Sequence, residues 1–380
     1  MSSSPSPRLP WIDHLRTLVI FLVVNVHACV TYSHVGDWYA MSEHEPTLVQ
    51  KIPFIVWETH LQSFFMGVLF FISGYFAFGS LARKGPGRFA RERLIRLGLP
   101  TLFYMLVIHP FILLVLNPWH AKFPPVGHYY VQYLSRGTFL RSTGPLWFAL
   151  ALLIFCLILA AIKPVSAHRG SIQPASSVPP RPSTLLGFAL ALGVLSFLVR
   201  LVLPIGSNVL NMQLCFFPQY IAVFIVGLAA AREGWLVPLA TSTFARRAGW
   251  AALIGGPVVL LTIMMIGGRS GHEPFTGGWR WQAAAYALWE QCTGLGLSLG
   301  LMSWLSRRLN RDGPVLRWLS DRCFAVYVLH APVLVALMIF FRALPQNAYA
   351  LALLLTVTGL IASFAIADLA RRLPGLRAIL

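Results

Sequence analysis

Apolar stretches of about twenty residues recur along the whole chain, and that spacing restricts its fold more than any other feature. A helix needs about 20 apolar residues to cross the hydrocarbon core of a bilayer. Ten stretches meet that length, at 12–33, 54–79, 95–117, 145–163, 184–204, 212–231, 249–267, 281–305, 323–341 and 347–369. Within lipid every backbone N–H and C=O must find its partner inside the protein, so such stretches cross as helices. The sequence therefore predicts an all-α, polytopic transmembrane helix bundle of about ten spans. Glu290 interrupts the eighth, and only Pro204 with a short Gly/Ser/Asn turn separates the fifth from the sixth.

Charge sets the orientation. Only 11% of the 380 residues are charged, where a soluble domain carries roughly 25%. The net charge of +18 would suit nucleic acid if it were gathered on one solvated face. Here the basic residues lie between the spans, so nucleic acid is not an expected partner and membrane lipid is. With the N-terminus inside, the inner segments hold 22 of the 30 Lys and Arg, six of them in 83–96 and five in 307–322. The positive-inside rule then predicts both termini in the cytoplasm.

The expected organisation is one membrane-embedded domain over 1–380, with a Ser/Pro-rich cytoplasmic link at 164–183. Residues 1–10 carry Arg8 and no small-residue cleavage site follows, so the first span is expected to be retained. Cys29, Cys156, Cys215, Cys292 and Cys323 form no CxxC pair. They read as small buried hydrophobes, and no metal site is predicted. The outer loops 34–53 and 118–143 are rich in groups that contact ligands, among them His34, Asp37, Trp38, Glu43, His44, Glu45, His120, His128, Tyr129, Tyr130, Arg136 and Arg141.

Ionisable groups at membrane depth are functional candidates because burying them is costly. Arg16 and His27 are eleven residues apart, close to three helical turns, which puts both on one stripe about 16 Å apart along the axis. Asp13 is placed to pair with Arg16. An inside anchor and a packing histidine would fit the same spacing. Arg93 and Arg96 share a face at the membrane surface, where guanidiniums suit either lipid phosphate or a phosphate-bearing substrate. His330 follows Tyr327 in the ninth span, and Glu290 is expected to be protonated or paired. Glu58 and His60 read as interfacial polar groups. Gly294, Gly296 and Gly300 sit in an apolar helix without a preceding strand, so they predict close helix packing.

Five blocks, in order, resemble the acyltransferase-3 family of membrane proteins. Trp11-Ile12-Asp13-His14-Leu15-Arg16 through His27 is similar to its Arg-x10-His signature in the first helix. Phe70-Phe71-Ile72-Ser73-Gly74-Tyr75-Phe76 is similar to its FFxSGxF stretch, and Arg93-Leu94-Ile95-Arg96 to its RxxR element. Gly144-Pro145-Leu146-Trp147-Phe148 resembles its GxLWF start of the fourth helix, and Tyr327 to Pro332 its late YxxHxP element. The wording of the first helix and of Gly36-Asp37-Trp38-Tyr39 looks most like the branch related to glucan biosynthesis protein C.

The resemblance implies a multi-pass protein of the bacterial inner membrane that transfers an acyl group from cytosolic acyl-coenzyme A to a hydroxyl of a carbohydrate or other acceptor. Acyl-coenzyme A would be a co-substrate, with no cofactor permanently bound. His27 is the implied base or nucleophile, and Arg16, Arg93 and Arg96 the donor-binding residues. Asp13, Ser73, Trp147, Glu290, Tyr327 and His330 would support them. A proton-coupled transporter or flippase, with His27, Glu290 and His330 as its relay, is the competing expectation.

Overall fold

In the computed structural model, residues 9–116, 125–162, 178–268, 271–345 and 347–379 are described. Most of the 164–183 link, together with His120, lies outside them. The described residues form helices and no strand, apart from an isolated bridge between Val209 and Met212. Eleven principal helices follow in order: α1 (Pro10–Ser33), α2 (Leu48–Lys84), α3 (Pro86–Leu116), α4 (Val126–Ser135), α5 (Trp147–Ile162), α6 (Pro182–Arg200), α7 (Phe217–Glu233), α8 (Thr243–Gly267), α9 (Trp281–Arg308), α10 (Pro314–Phe340) and α11 (Ala348–Arg372).

Among the described residues nine helices are long and apolar enough to cross a membrane. The one expected span outside that set is the eighth, α9, a 28-residue helix whose middle carries Glu290 and Gln291. Those polar groups lower its hydropathy, yet both are buried inside the bundle. Lipid-facing surface is evident elsewhere, with Leu102, Phe103, Ile254, Leu353 and Ile361 all exposed. A water-soluble protein rarely leaves so much contiguous apolar surface uncovered. The chain is a multi-pass membrane protein.

Local chemistry fixes where the helices begin. Thr47 and Gln50 form a reciprocal capping box at the start of α2. The Ser242 hydroxyl accepts from the Ala245 N–H at 3.0 Å, and Asn347 Oδ1 from the Ala350 N–H at 3.0 Å. In α3, Pro100 and Pro110 each remove a backbone donor, and π-helical turns form at Leu94–Gly98, Tyr104–Ile108 and Ile112–Leu116. The freed Leu106 and Met105 carbonyls accept from the Tyr130 hydroxyl at 3.0 Å and the Tyr133 hydroxyl at 2.6 Å. This arrangement docks α4 across one end of α3.

Small residues set the helix pairing, as in other membrane bundles. A Cβ on Gly74 would lie 2.1 Å from the Phe224 carbonyl oxygen, and one on Gly227 2.2 Å from that of Phe71, so α2 and α7 touch backbone to backbone. Gly294, Gly296 and Gly300 do the same for α9, against Ser63, Ala248 with Ala252, and Gly249. The predicted packing role of those three glycines holds. All five cysteines are free, four of them buried and Cys292 partly so. Helix α1 sits centrally, against α2, α9, α10 and α11. The described start and end of the chain lie at one end of the bundle, since the charges of Arg16 and Arg371 both bear on Arg96.

Candidate active site

The stripe predicted on α1 faces one neighbour along its length. At one end the Arg16 guanidinium donates to the Ser320 hydroxyl at 3.0 Å. Eleven residues on, the His27 ring centroid lies 5.3 Å from that of His330, with the planes 20° apart. Ser320 and His330 are ten residues apart on α10, so the two helices run side by side and pair arginine with serine, then histidine with histidine. The Asp13 carboxylate stands 3.5 Å from Arg16, as the spacing predicts.

His330 is fully buried. Its Nδ1 lies 2.8 Å from the Tyr327 carbonyl oxygen. A carbonyl only accepts, so Nδ1 carries a proton and the lone pair of the neutral ring is on Nε2. Among the described residues Nε2 has no hydrogen-bond partner. The Tyr327 hydroxyl donates to the Pro145 carbonyl and so fixes α10 to the start of the fourth span. His27 is half-buried. Trp38 covers one face of His27, its ring stacking at 3.8 Å and 16°, while His330 lies to the side. Trp38 also lies 6.2 Å from His330. Two imidazoles and an indole thus form a near-parallel cluster where the first loop folds back over α1. The sequence reading placed Trp38 in a ligand-contacting loop but not among the site residues.

The remaining basic candidates gather at the opposite end of α1. Arg93 and Arg96 lie near the start of α3, and the charges of Arg93, Arg16 and Arg371 all act on Arg96. Arg93 also stands 5.0 Å over the Phe89 ring. Such a cluster of guanidiniums suits an anionic ligand. Trp147 is half-buried and stacks on Tyr220 at 5.6 Å. Ser73 is half-buried on α2, next to the Gly74 contact with α7.

Glu290 belongs to a different place. It pairs with Arg200 at 2.6 Å, both groups being within 1% of full burial. Gln291 donates to the same carboxylate oxygen at 3.0 Å, and Gln219 donates to Gln291 at 3.0 Å and to the Ser63 carbonyl at 2.7 Å. The expectation that Glu290 is protonated or paired resolves as pairing. Its partner, Arg200, stands inside the apolar stretch 184–204. Glu58 and His60, which read as interfacial polar groups, are buried within the bundle. Glu58 accepts from the Ser33 hydroxyl at 2.9 Å, and His60 meets the Trp289 ring edge-on at 5.0 Å. The extra length of α2, which begins at Leu48, carries both residues below the helix end.

The five sequence blocks converge in space. The charge of Arg16 in the first acts on Arg96 in the third, and the first meets the fifth through His27 and His330. The second meets the fourth where Phe70 packs on Phe148 at 4.7 Å. The fourth meets the fifth where Phe148 packs on Tyr327 at 6.1 Å.

The family model for the acyltransferase domain of the acyltransferase-3 type matches residues 9–372. Glucans biosynthesis protein C of Salmonella gallinarum is 25% identical over 344 residues, covering 88% of this chain and 84% of its own length. The proteins of the same name from Salmonella paratyphi B and Salmonella agona are 25% identical over 349 residues, with the same coverage. No solved structure matches. The signature arginine and histidine of α1, the arginines of α3 and the matched span of 9–372 together place this chain in the acyltransferase-3 family of membrane acyltransferases, related to glucan biosynthesis protein C.

Proposed function

We propose that this protein transfers an acyl group from acyl-coenzyme A to a hydroxyl of a carbohydrate or similar acceptor, across the bacterial inner membrane, with both termini in the cytoplasm. The observation that carries this reading is the two-ended stripe of α1, with an arginine cluster at one end and a paired histidine at the other. Arg16, Arg93 and Arg96 hold the phosphates of the donor. The pantetheine arm follows α1, a run of about 16 Å at 1.5 Å per residue, and presents the thioester beside His27.

His27 takes the proton of the acceptor hydroxyl as its oxygen attacks the thioester carbon. The carbon–sulfur bond then breaks, and the thiolate leaves with that proton as free coenzyme A. His330, with Nδ1 committed to the Tyr327 carbonyl, offers a second nitrogen lone pair beside it. The acceptor approaches from the outer end, where the first loop lays Trp38 on His27. A proton-coupled transporter would enlist Glu290 with the two histidines, yet the hydrogen bonds of Glu290 run to Arg200 and Gln291.

Alanine at Arg16, Arg93 or Arg96 is expected to weaken acyl-coenzyme A binding by about tenfold or more each, since a charge-assisted hydrogen bond contributes about 1.5–3 kcal/mol. Acceptor affinity should change less. Titration calorimetry on the purified protein measures both, and unchanged donor affinity in all three variants would return these arginines to simple membrane anchors.

A further inference from the structure

Trp38 lies directly against the face of His27, and the residues around it hold it there. Tyr39 follows it, and its hydroxyl shares a 2.8 Å hydrogen bond with His109 Nδ1 on α3. The Tyr104 hydroxyl donates to Tyr39 at 3.1 Å. Burial raises the Tyr39 phenol above its ordinary pKa, so it keeps its proton at neutral pH. The space for these two hydroxyls exists because residue 144 is glycine. A Cβ there would lie 2.5 Å from the Tyr39 oxygen and 2.7 Å from the Tyr104 oxygen. Gly144 also has φ +48°, a conformation that favours glycine. Asn211 then fastens the Gly144 carbonyl at 2.9 Å. On the far side of His109, Tyr133 stacks at 6.1 Å while its hydroxyl caps the Met105 carbonyl. The loop is thereby tied to α3 and to the start of the fourth span.

We infer that Trp38 is a specificity-determining residue of the transfer site, held by the Tyr39–His109–Tyr104 latch so that its indole shields His27 from water and directs the acyl group to a hydroxyl acceptor. This rests on the proposed acyl transfer. In transfer, the acceptor oxygen bonds to the acyl carbon, the carbon–sulfur bond breaks and the proton leaves on coenzyme A. In the competing reaction water supplies the oxygen and a free acid results. The two differ only in which O–H reaches the in-plane nitrogen of His27, and an indole latched against the ring fills space that water would otherwise occupy while leaving that edge to the acceptor. A bulky, flat ring also suits the apolar face of a sugar once the acceptor is bound.

Two readouts test this. The first is the rate at which diethylpyrocarbonate modifies His27, followed by peptide mass spectrometry, and it needs no acyl donor. The second is the ratio of acceptor-independent coenzyme A release to acyl transfer. Trp38→Ala is expected to raise both by about tenfold, the size of effect an aromatic stack carries. Trp38→Phe should stay near wild type, and Tyr39→Phe, which keeps the ring and removes only the latch hydroxyl, should fall between. Equal His27 modification in wild type, Trp38→Ala and Tyr39→Phe would overturn the inference, as would an active Trp38→Ala protein with an unchanged ratio. If Trp38→Ala does not fold, Tyr39→Phe decides on the same criterion. Should the wild type release no thiol from any acyl donor, the proposed donor is wrong, while the modification rates still report whether Trp38 shields His27.

Discussion

His27→Ala is expected to lower acyl transfer by about 10²–10⁴-fold, the range that a positioned acid–base contributes. The site explains why little else should change. His27 is half-buried and makes its ring contacts with Trp38 and His330. Helix α1 is held by other residues, including Trp11, Leu15, Val19 and Val24, all buried. The variant should therefore accumulate and unfold in detergent near the wild-type temperature while losing transfer. Coenzyme A release and a thermal melt on the same preparation separate the two effects. Retention of most of the activity would remove His27 from the chemistry.

Arg200→Ala is expected to do the reverse, destabilising the protein by about 3–5 kcal/mol because it leaves a buried carboxylate without its counter-charge. The pair is closed off, with Arg200 flanked by the Phe216 and Tyr286 rings at 5.2 and 5.5 Å. Gln291 alone would remain on Glu290. Replacing both members, as in Arg200→Met with Glu290→Met, should recover much of the loss, since apolar side chains of similar volume need no counter-charge. Thermal unfolding followed by tryptophan fluorescence checks the order of the three proteins. A single Arg200→Ala variant as stable as wild type would show that the pair does not hold α6 to α9.

The contrast between these residues shows what was readable in advance. Apolar length alone gave the helices, because the bilayer imposes one solution on a backbone that must satisfy itself. The shared face of Arg16 and His27 was equally legible, since a helical period is local arithmetic. Contacts between distant segments were not. The Arg200–Glu290 pair joins residues ninety positions apart, and its one visible signal was a lone arginine inside an apolar stretch matched by a lone glutamate in another. Trp38 is harder still. Its place over His27 depends on a loop whose path is set by Tyr39, His109 and the missing side chain of Gly144. The burial of Glu58 and His60 was not legible either, because it depends on Ser33 and Trp289 of other helices.

Sealed proteoliposomes test the central claim most directly. Orientation is read by labelling single cysteines in a cysteine-free background at Gly87 and Gly127, both exposed and, among the described residues, with nothing within 4 Å of an added Cβ. Acyl-coenzyme A is supplied only on the Gly87 side, and an impermeant carbohydrate acceptor only on the Gly127 side. Acylated acceptor formed in intact vesicles by wild type, and not by His27→Ala, is the predicted result. Product that appears only after detergent permeabilisation would contradict a donor bound at the arginine end and an acceptor reaching His27 from the other.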